Sequence, residues 1–281
     1  MEIFDASKCT TILDQRIKTH VDMLSESDLN NVLGIIQVGD NPVSESYIKL
    51  KIKYCQRFGI RAQLFKLDQN LSDQEITDNI TSIFARPEIS GGIIQLPLPR
   101  TSLNGVLNLI PLKKDIDMLS SNTWVQYDEG KRSITSPVVL AMRAFLDTYS
   151  IDIHGMSIKI IGRGRLVGVP IAKYLLSQGV NPEFLDDYTT GDSLKADLAI
   201  TSTGIARLIK GENINEGCSV IDFGSSIVDG KTVGDFDLSS KTDHLKFISP
   251  SPGGMGPLVL RYLIMNFLGL EYSNLDFQQS Q

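Results

Sequence analysis

The stretch SIKIIGRGRLVGVP, residues 157–170, contains the clearest local signal in the chain. An apolar run rich in isoleucine ends at Gly162, Gly164 follows, and Gly168 and Pro170 stand where a helix would begin. The pattern predicts a buried strand that turns tightly into a helix, because glycine permits the turn and proline suits the first helical turn. Free N–H groups at such a helix start, together with the helix dipole, favour a negatively charged ligand.

The surroundings of this turn indicate a dinucleotide. Its glycine spacing, G-x-G-x-x-x-G, is one residue longer than the usual fingerprint and is weak evidence alone. Asp186 and Asp187 lie about 20 residues further on, at the predicted end of the next strand, where an acid usually accepts hydrogen bonds from the ribose of NAD. Arg163 and Arg165 could offset the repulsion, on the order of several kcal/mol, that a 2′-phosphate would meet there. The charges therefore do not decide between NAD and NADP, and the sequence as a whole favours NAD only slightly. The alternative is a tight strand–helix turn that binds no ligand.

Strand-like and helix-like stretches alternate on both sides of this turn. The predicted elements are 32–39, 40–59, 60–67, 72–86, 91–100, 137–149, 157–162, 169–179, 182–187, 196–204, 219–224 and 257–270. Repeated strand–helix–strand order implies a parallel sheet with helices on its faces. We therefore predict an α/β protein of two parallel-sheet domains flanking a cleft, the second a Rossmann-type dinucleotide-binding domain. The domains are placed at 1–136, completed by the C-terminal helix in 257–281, and at 137–256.

Several element ends carry recognisable local signals. Gly59 is placed to end the helix predicted for 40–59, and Ser72 with Glu75 forms the capping box of the next helix. Pro97 follows the third strand and ends it. The polar tail, residues 273–281, is expected to be frayed.

Composition excludes several classes of protein. The 281 residues carry a net charge of −6, which is unlike a nucleic-acid-binding protein and offers no attraction to an anionic membrane. Neither a membrane span nor a signal peptide is predicted. The cysteines are isolated and the histidines do not cluster, so we expect reduced thiols, no metal site and a cytoplasmic protein. The cysteines are Cys9, Cys55 and Cys218.

Candidate catalytic residues lie around the first and third strands. Tyr47 and Lys51 are four residues apart and share one face of the predicted helix. A desolvated lysine beside a tyrosine can transfer protons, although a surface lysine beside a core tyrosine is the commoner arrangement. Gln95 ends a buried strand, where a buried amide needs partners and ligands bind. Asp115 and Asp117 are equally consistent with solvated loop acids and with a functional role.

Taken together, these stretches resemble the bifunctional methylenetetrahydrofolate dehydrogenase/cyclohydrolase family. The resemblance covers residues 32–268 and depends on eight blocks in the right order. The blocks are VGDNPVSESYIKLK, GGIIQLPLP, KKDID, GRGRLVGVP, ADLAITSTG, VIDFG, VGDFD and SPSPGGMGP. It implies oxidation of 5,10-methylenetetrahydrofolate with NAD(P)⁺ and hydrolysis of the methenyl product to 10-formyltetrahydrofolate, in one-carbon metabolism and purine biosynthesis.

The resemblance also implies roles for individual residues. Lys51 is the general acid/base, Tyr47 lies over the substrate rings, Gln95 assists Lys51, and Asp117 hydrogen-bonds the pterin. Ser44 and the loop 249–257, with Pro252, Gly253 and Gly254, border the folate pocket. The expected nucleotide contacts are Gly162, Arg163, Gly164, Val167, Gly168, Asp186, Asp187, Thr203, Gly204 and Ser225. A homodimer without a metal is implied.

The chain departs from the family pattern at several positions. The family usually has serine at the position of Gly164 and a His-Ser pair at Asp186–Asp187, which puts the preferred cofactor in doubt. Met118 stands where the family has a glycine, which would let the backbone turn freely. Further departures are ITSP at 134–137, Val139, and SPSPGGMGP in place of TPVPGGVGP.

Two other functions are compatible with parts of the sequence. A different dehydrogenase with a Rossmann domain, of the amino-acid or shikimate type, explains residues 162–170 but not Tyr47, Lys51 and Gln95. A drifted paralogue that lacks one activity and only binds folate or nucleotide would explain the altered nucleotide loop. The retained Lys51 argues against that second alternative.

Overall fold

The computed structural model describes residues 1–25, 28, 30–131, 134–272, 275 and 277, and most of the tail predicted to fray therefore lies outside the described residues. Its α-helices are α1 (Ser7–Val21), α2 (Pro42–Arg57), α3 (Asp73–Ala85), α4 (Ser121–Asp128), α5 (Pro137–Thr148), α6 (Gly168–Ser177) and α7 (Met255–Phe267). Short 3-10 helices span Thr101–Leu109, Leu112–Lys114 and Gly211–Asn213.

The strands are mostly short and parallel. They are β1 (Glu2–Ile3), β2 (Val32–Val38), β3 (Arg61–Leu67), β4 (Ile89–Ile94), β5 (Ile158–Ile161), β6 (Glu183–Phe184), β7 (Leu198–Thr201), β8 (Ile209–Lys210), β9 (Ser219–Asp222), β10 (Ser226–Val228), β11 (Lys231–Val233), β12 (Phe236–Asp237) and β13 (Phe247–Ser249).

The chain divides into two compact units. The three-strand unit comprises Leu13–Ser136 and Leu260–Ser273. The six-strand unit comprises Met1–Ile12, Pro137–Val259 and Asn274–Gln281. Within the described residues, no helix is both long enough and apolar enough to cross a bilayer.

In the three-strand unit, β2 is the central strand of the parallel order β3-β2-β4. All seven residues of β2 are buried, as its continuous apolar run predicted. Asn41 caps α2 by accepting a hydrogen bond from Ser44 N, and Gly59, with φ +71°, follows the helix end. The capping box of Ser72 and Glu75 forms as predicted.

The last helix contributes to this unit through a buried ion pair. Arg261 on α7 donates from Nε and Nη2 to the two carboxylate oxygens of Asp14, at 2.7 and 2.9 Å. Asp14 also accepts from the Tyr54 hydroxyl and pairs with Arg57 at 3.0 Å, so both side chains tie it to α2. The guanidinium of Arg261 lies 4.6 Å from the ring centroid of Tyr54. Three segments distant in sequence therefore share one carboxylate.

The six-strand unit has the parallel order β1-β13-β9-β7-β5-β6. Strand β5 leads through α6 to β6 on one side, and its other neighbour is β7. The strand order reverses at this point, and ligands of open α/β sheets bind beside the carboxyl ends of strands at such a reversal. The predicted α/β fold class with two parallel sheets is confirmed, although the strand expected over 182–187 contains only Glu183–Phe184.

Candidate active site

Lys51 and Gln95 meet at the carboxyl end of the small sheet. Helix α2 carries Lys51, whose Nζ donates a 2.9 Å hydrogen bond to Oε1 of Gln95, the residue after β4. Gln95 is only 8% exposed, and its Nε2 donates to the Leu96 carbonyl at 2.7 Å. Ser44 is also buried and donates to the same carbonyl at 3.1 Å. The side-chain amide of Gln95, which we expected to need hydrogen-bond partners, therefore has one for its oxygen and one for its nitrogen.

Tyr47 occupies the turn of α2 before Lys51. Its side chain is 37% exposed, whereas Lys51 is half-buried. A surface lysine beside a core tyrosine is therefore the wrong description of this pair. The exposed aromatic face is available to stack on a flat ring.

Asp117 and Lys51 influence each other electrostatically. Burial raises the pKa of Asp117 to about 6; the positive charge of Lys51 opposes this rise and the negative charge of Asp115 adds to it. Burial also lowers the pKa of Lys51, and the charge of Asp117 partly offsets that. Both pKa values move towards neutrality, which suits groups that exchange protons.

Asp115 has a structural position instead. It is fully buried and accepts hydrogen bonds from Leu119 N at 3.0 Å, Ser120 N at 2.9 Å and the Thr123 hydroxyl at 2.5 Å. The solvated-loop alternative is therefore wrong for this residue. Its bonds shape the chain that follows Asp117.

Met118 adopts a left-handed backbone with φ +54° although it is not glycine. Its carbonyl accepts a 2.8 Å hydrogen bond from Nε1 of Trp124, and its side chain is buried. Position 118 therefore requires the left-handed conformation that glycine adopts easily, and burial of the Met118 side chain offsets the strain of adopting it with a larger residue.

The nucleotide turn forms around Gly162 and Gly168 in the six-strand unit. Gly162 has φ +101°, and a Cβ on Gly168 would lie 2.0 Å from the carbonyl oxygen of Gly162. Val167 precedes α6 and makes no side-chain cap hydrogen bond. In the first turn, Val169 N–H donates to the Gly164 carbonyl at 3.1 Å and Pro170 has no N–H, which leaves the N–H of Gly168 to face a ligand. Gly164 differs, because a Cβ there would meet nothing within 4 Å. The turn has the shape expected for a pyrophosphate site, because Gly162 and Gly168 have no side chains that would keep a phosphate away from the backbone.

Arg163 and Asp186 form an ion pair near the end of β6. Nε of Arg163 donates to Oδ1 of Asp186 at 3.0 Å and Nη2 to Oδ2 at 2.7 Å, which lowers the pKa of Asp186. The guanidinium also lies 3.9 Å from the Phe184 ring centroid. Asp187 is exposed and has no hydrogen bond to another described residue. The two neighbouring acids are therefore not equivalent.

The other predicted nucleotide contacts follow β7 and β9. Thr203 N donates to Oδ2 of Asp235 at 2.5 Å. Gly204 has φ +71°, and Ser225 is half-buried after the end of β9. Sequence reasoning missed Asp235, although an acid between apolar residues in VGDFD was a visible signal.

The loop 249–257 also belongs to the six-strand unit. Gly253 has φ +106°, and a Cβ on Gly254 would lie 2.1 Å from the Ser249 hydroxyl oxygen and 2.5 Å from the Pro250 carbonyl oxygen. Pro252 follows a cis peptide bond. The loop therefore depends on glycine at both positions.

The cysteines are free and buried in the six-strand and three-strand units. Among the described residues, no group of three or more His, Cys, Asp or Glu side chains is arranged to hold a metal ion.

Two family models match the chain. The catalytic domain of tetrahydrofolate dehydrogenase/cyclohydrolase matches residues 4–117, and the NAD(P)-binding domain of the same family matches residues 136–274. The chain belongs to the tetrahydrofolate dehydrogenase/cyclohydrolase family. The predicted family is confirmed, and it accounts for both halves of the sequence, whereas a different dehydrogenase would explain only the nucleotide turn.

Relatives and solved structures of the family are similar along almost the whole chain. The bifunctional protein FolD of Lactobacillus delbrueckii subsp. bulgaricus is 32% identical over 273 residues, covering 96% of each chain. The crystal structure of the bifunctional enzyme FolD from Campylobacter jejuni has 29% identity and a TM-score of 0.83, and covers 96% of this chain and 98% of that one. The Trypanosoma brucei FolD structure, a complex with NADP and inhibitor, shares the fold with a TM-score of 0.82 at 23% identity, covering 95% of each chain.

Proposed function

We propose that the chain oxidises 5,10-methylenetetrahydrofolate with NAD(P)⁺ and then hydrolyses the methenyl product to 10-formyltetrahydrofolate. Family membership supports both activities. The observation that carries the proposal is the 2.9 Å bond between Lys51 Nζ and Gln95 Oε1, with Asp117 coupled to the same amine.

The hydrolytic half-reaction depends on the uncharged amine of Lys51. Burial lowers the pKa of this lysine, so a larger fraction is neutral near pH 7 than for an exposed lysine. Water adds through oxygen to the amidinium carbon and passes a proton to Nζ. The hydroxyl of the adduct gives up its remaining proton as the bond between that carbon and N5 breaks, and N5 takes the proton that Nζ had received. The formyl group stays on N10, and one proton is released overall. Gln95 fixes the direction of the amine through its Oε1.

The remaining residues of the three-strand unit position the substrate. Tyr47 stacks its exposed ring on the folate ring system, and Asp117 accepts a hydrogen bond from the pterin. Ser44 holds the Leu96 carbonyl at 3.1 Å and borders the pocket. Folate binding is assigned to the three-strand unit and nucleotide binding to the six-strand unit. The boundaries predicted from the sequence, 1–136 and 137–256, differ from these units at Met1–Ile12, which is part of the six-strand unit.

The six-strand unit is assigned to NAD(P)⁺, which accepts the hydride of the bridge carbon when it is bound. The turn from Gly162 to Gly168 receives the pyrophosphate, and the nucleotide side is completed by Arg163, Gly164, Val167, Thr203, Gly204 and Ser225.

We assign a slight preference for NAD to the acids after β6. Asp186 is already paired with Arg163, so Asp187 is the carboxylate left to accept hydrogen bonds from a ribose. Because Arg163 is bound to Asp186, its charge is partly neutralised and is less available to pair with the 2′-phosphate of NADP. A cytoplasmic homodimer in one-carbon metabolism and purine biosynthesis is the expected setting.

The decisive experiment is a spectrophotometric assay with methylenetetrahydrofolate and each nucleotide in turn, together with a separate assay of methenyltetrahydrofolate hydrolysis. We expect reduced nucleotide to form and the methenyl absorbance to decay faster than without enzyme. Binding of folate and nucleotide without turnover in either assay would instead support the non-catalytic paralogue. Turnover in one assay alone would show that one activity has been lost.

A further inference from the structure

We infer that Asp235, which is outside the predicted nucleotide contacts, is a positioning residue for the nucleotide: its carboxylate holds the segment after β7 in the shape that receives NAD(P)⁺. This inference rests on the proposed dehydrogenase function. It concerns residues of the six-strand unit only.

The contacts of Asp235 join a strand end to the loop that follows it. Asp235 is fully buried, and its Oδ2 accepts from the Thr201 hydroxyl at 2.7 Å and from Thr203 N at 2.5 Å. Thr201 is the last residue of β7, and Thr203 is a predicted nucleotide contact. Oδ2 of Asp235 thus holds the end of β7 at Thr201 and also orients the backbone N–H of Thr203, two residues into the loop.

A second buried carboxylate places Asp235 itself. Asp222, the last residue of β9, accepts from Asp235 N at 3.3 Å and Gly224 N at 2.7 Å through Oδ1, and from Phe236 N at 2.9 Å through Oδ2. Burial raises the pKa of Asp222 to about 7, and the charge of Asp235 adds to the rise. The two acids together link the ends of β7 and β9 to residues 234–236.

Two glycines make room for the acids. A Cβ on Gly224 would lie 2.0 Å from Cγ of Asp235, and a Cβ on Gly234 would lie 2.1 Å from Oδ2 of Asp222. Each carboxyl group therefore packs directly on a glycine backbone. Ser225, another predicted nucleotide contact, follows Gly224, so both loops begin at this pair of acids.

Stability alone does not explain two acids in this position. No lysine, arginine or histidine in the described part of the chain forms an ion pair with Asp222 or Asp235, and Oδ1 of Asp235 has no hydrogen-bond partner. A buried carboxyl group without a counter-charge is costly. We attribute the retention of Asp235 to the loop geometry that its bonds to Thr201 and Thr203 impose.

The test compares Asp235→Ala with Asp235→Asn. The alanine variant leaves Thr203 N and the Thr201 hydroxyl unpaired, and we expect KM for NAD(P)⁺ and Kd for NAD(P)H, followed by fluorescence, to rise at least tenfold. Methenyltetrahydrofolate hydrolysis should stay within about twofold of wild type, because that reaction does not use the nucleotide. The asparagine variant retains an oxygen acceptor and should recover most of the affinity.

A milder variant and a control separate positioning from general stability. Thr201→Val removes one of the two donors to Asp235 and should raise the nucleotide Kd less than Asp235→Ala does. Asp237→Ala is the matched control, since among the described residues the Asp237 carboxylate accepts hydrogen bonds from its near neighbour Ser239 alone.

Three outcomes decide the question. An unchanged nucleotide Kd in Asp235→Ala overturns the inference. So does an equal loss of both activities in Asp235→Ala and Asp235→Asn, which would indicate a structural role. A wild-type protein that binds NAD(P)H but does not oxidise methylenetetrahydrofolate contradicts the proposed function, while the binding measurements still test Asp235.

Discussion

The candidate functional groups of both units lie near the carboxyl ends of parallel strands, but they come from different parts of the polypeptide. In the three-strand unit the groups are side chains, with Lys51 bonded to Gln95 after β4. In the six-strand unit the turn after β5 is built from backbone, and the closest approach is between Gly168 and Gly162. The first site should therefore be sensitive to the loss of functional groups, and the second to the addition of atoms.

The largest effect is expected from Lys51→Ala in the three-strand unit. General acid–base catalysis contributes about 10²–10⁴-fold, so hydrolysis of the methenyl substrate should fall by about that factor, while folate binding largely persists. Stopped-flow absorbance and equilibrium binding measure the two quantities. Lys49→Ala is the control, because Lys49 is an exposed lysine on the same helix. Wild-type rates in Lys51→Ala would remove this amine from the mechanism.

Gly168→Ala tests the backbone site in the complementary way. Its Cβ would collide with the Gly162 carbonyl oxygen, so we expect the nucleotide KM to rise by about tenfold or more while hydrolysis is largely kept. Gly164→Ala has open space around its Cβ and should lose much less affinity. Equal losses in the two variants would show that the tight turn does not set nucleotide affinity.

The pH dependence of hydrolysis sharpens the description of the side-chain site. The pKa of Asp117 is raised to about 6, so the carboxylate that accepts from the pterin is lost as the pH falls through 6. Because protonation of Lys51 also slows hydrolysis as the pH falls, the decline should steepen by about a further tenfold per unit below pH 6. This additional step should be absent in Asp117→Asn. A pH–rate profile of both proteins measures it. An inflection that persists in the variant belongs to another group.

The smallest expected effect concerns the choice of nucleotide. Asp187→Ser removes a negative charge from the position where a 2′-phosphate would lie, and we expect the ratio of kcat/KM for NADP⁺ over NAD⁺ to rise several-fold. The ratio is independent of the active enzyme concentration, so partial loss of folded protein does not affect it. An unchanged ratio would reject the assigned role of this acid.

Local signals in the sequence predicted local structure well. The capping box of Ser72 and Glu75 and the helix end near Gly59 follow from bonds between neighbours in the chain, and both form. The pairing of Lys51 with Gln95 was expected from the family resemblance alone, because the two residues are 44 positions apart and only one of them follows a strand end.

Contacts between distant residues were not predictable in the same way. The burial of Asp115 depends on three donors that follow it, and the Arg163–Asp186 pair depends on how β6 lies beside β5. The role of Asp235 depends on donors more than thirty residues earlier in the chain, at Thr201 and Thr203. Each of these requires the finished sheet, which a short sequence window does not contain.

The carboxylate of Asp14 has a consequence for synthesis of the protein. Its partner Arg261 is 247 residues further along the chain, so a ribosome must add all of these residues after Asp14 before the pair can form. Until then, Asp14 can bond to Tyr54 and Arg57 but lacks its partner on the last helix. A fragment that stops at Ser136 would contain every candidate catalytic side chain of the three-strand unit but not the helix that holds this end of α2 in place.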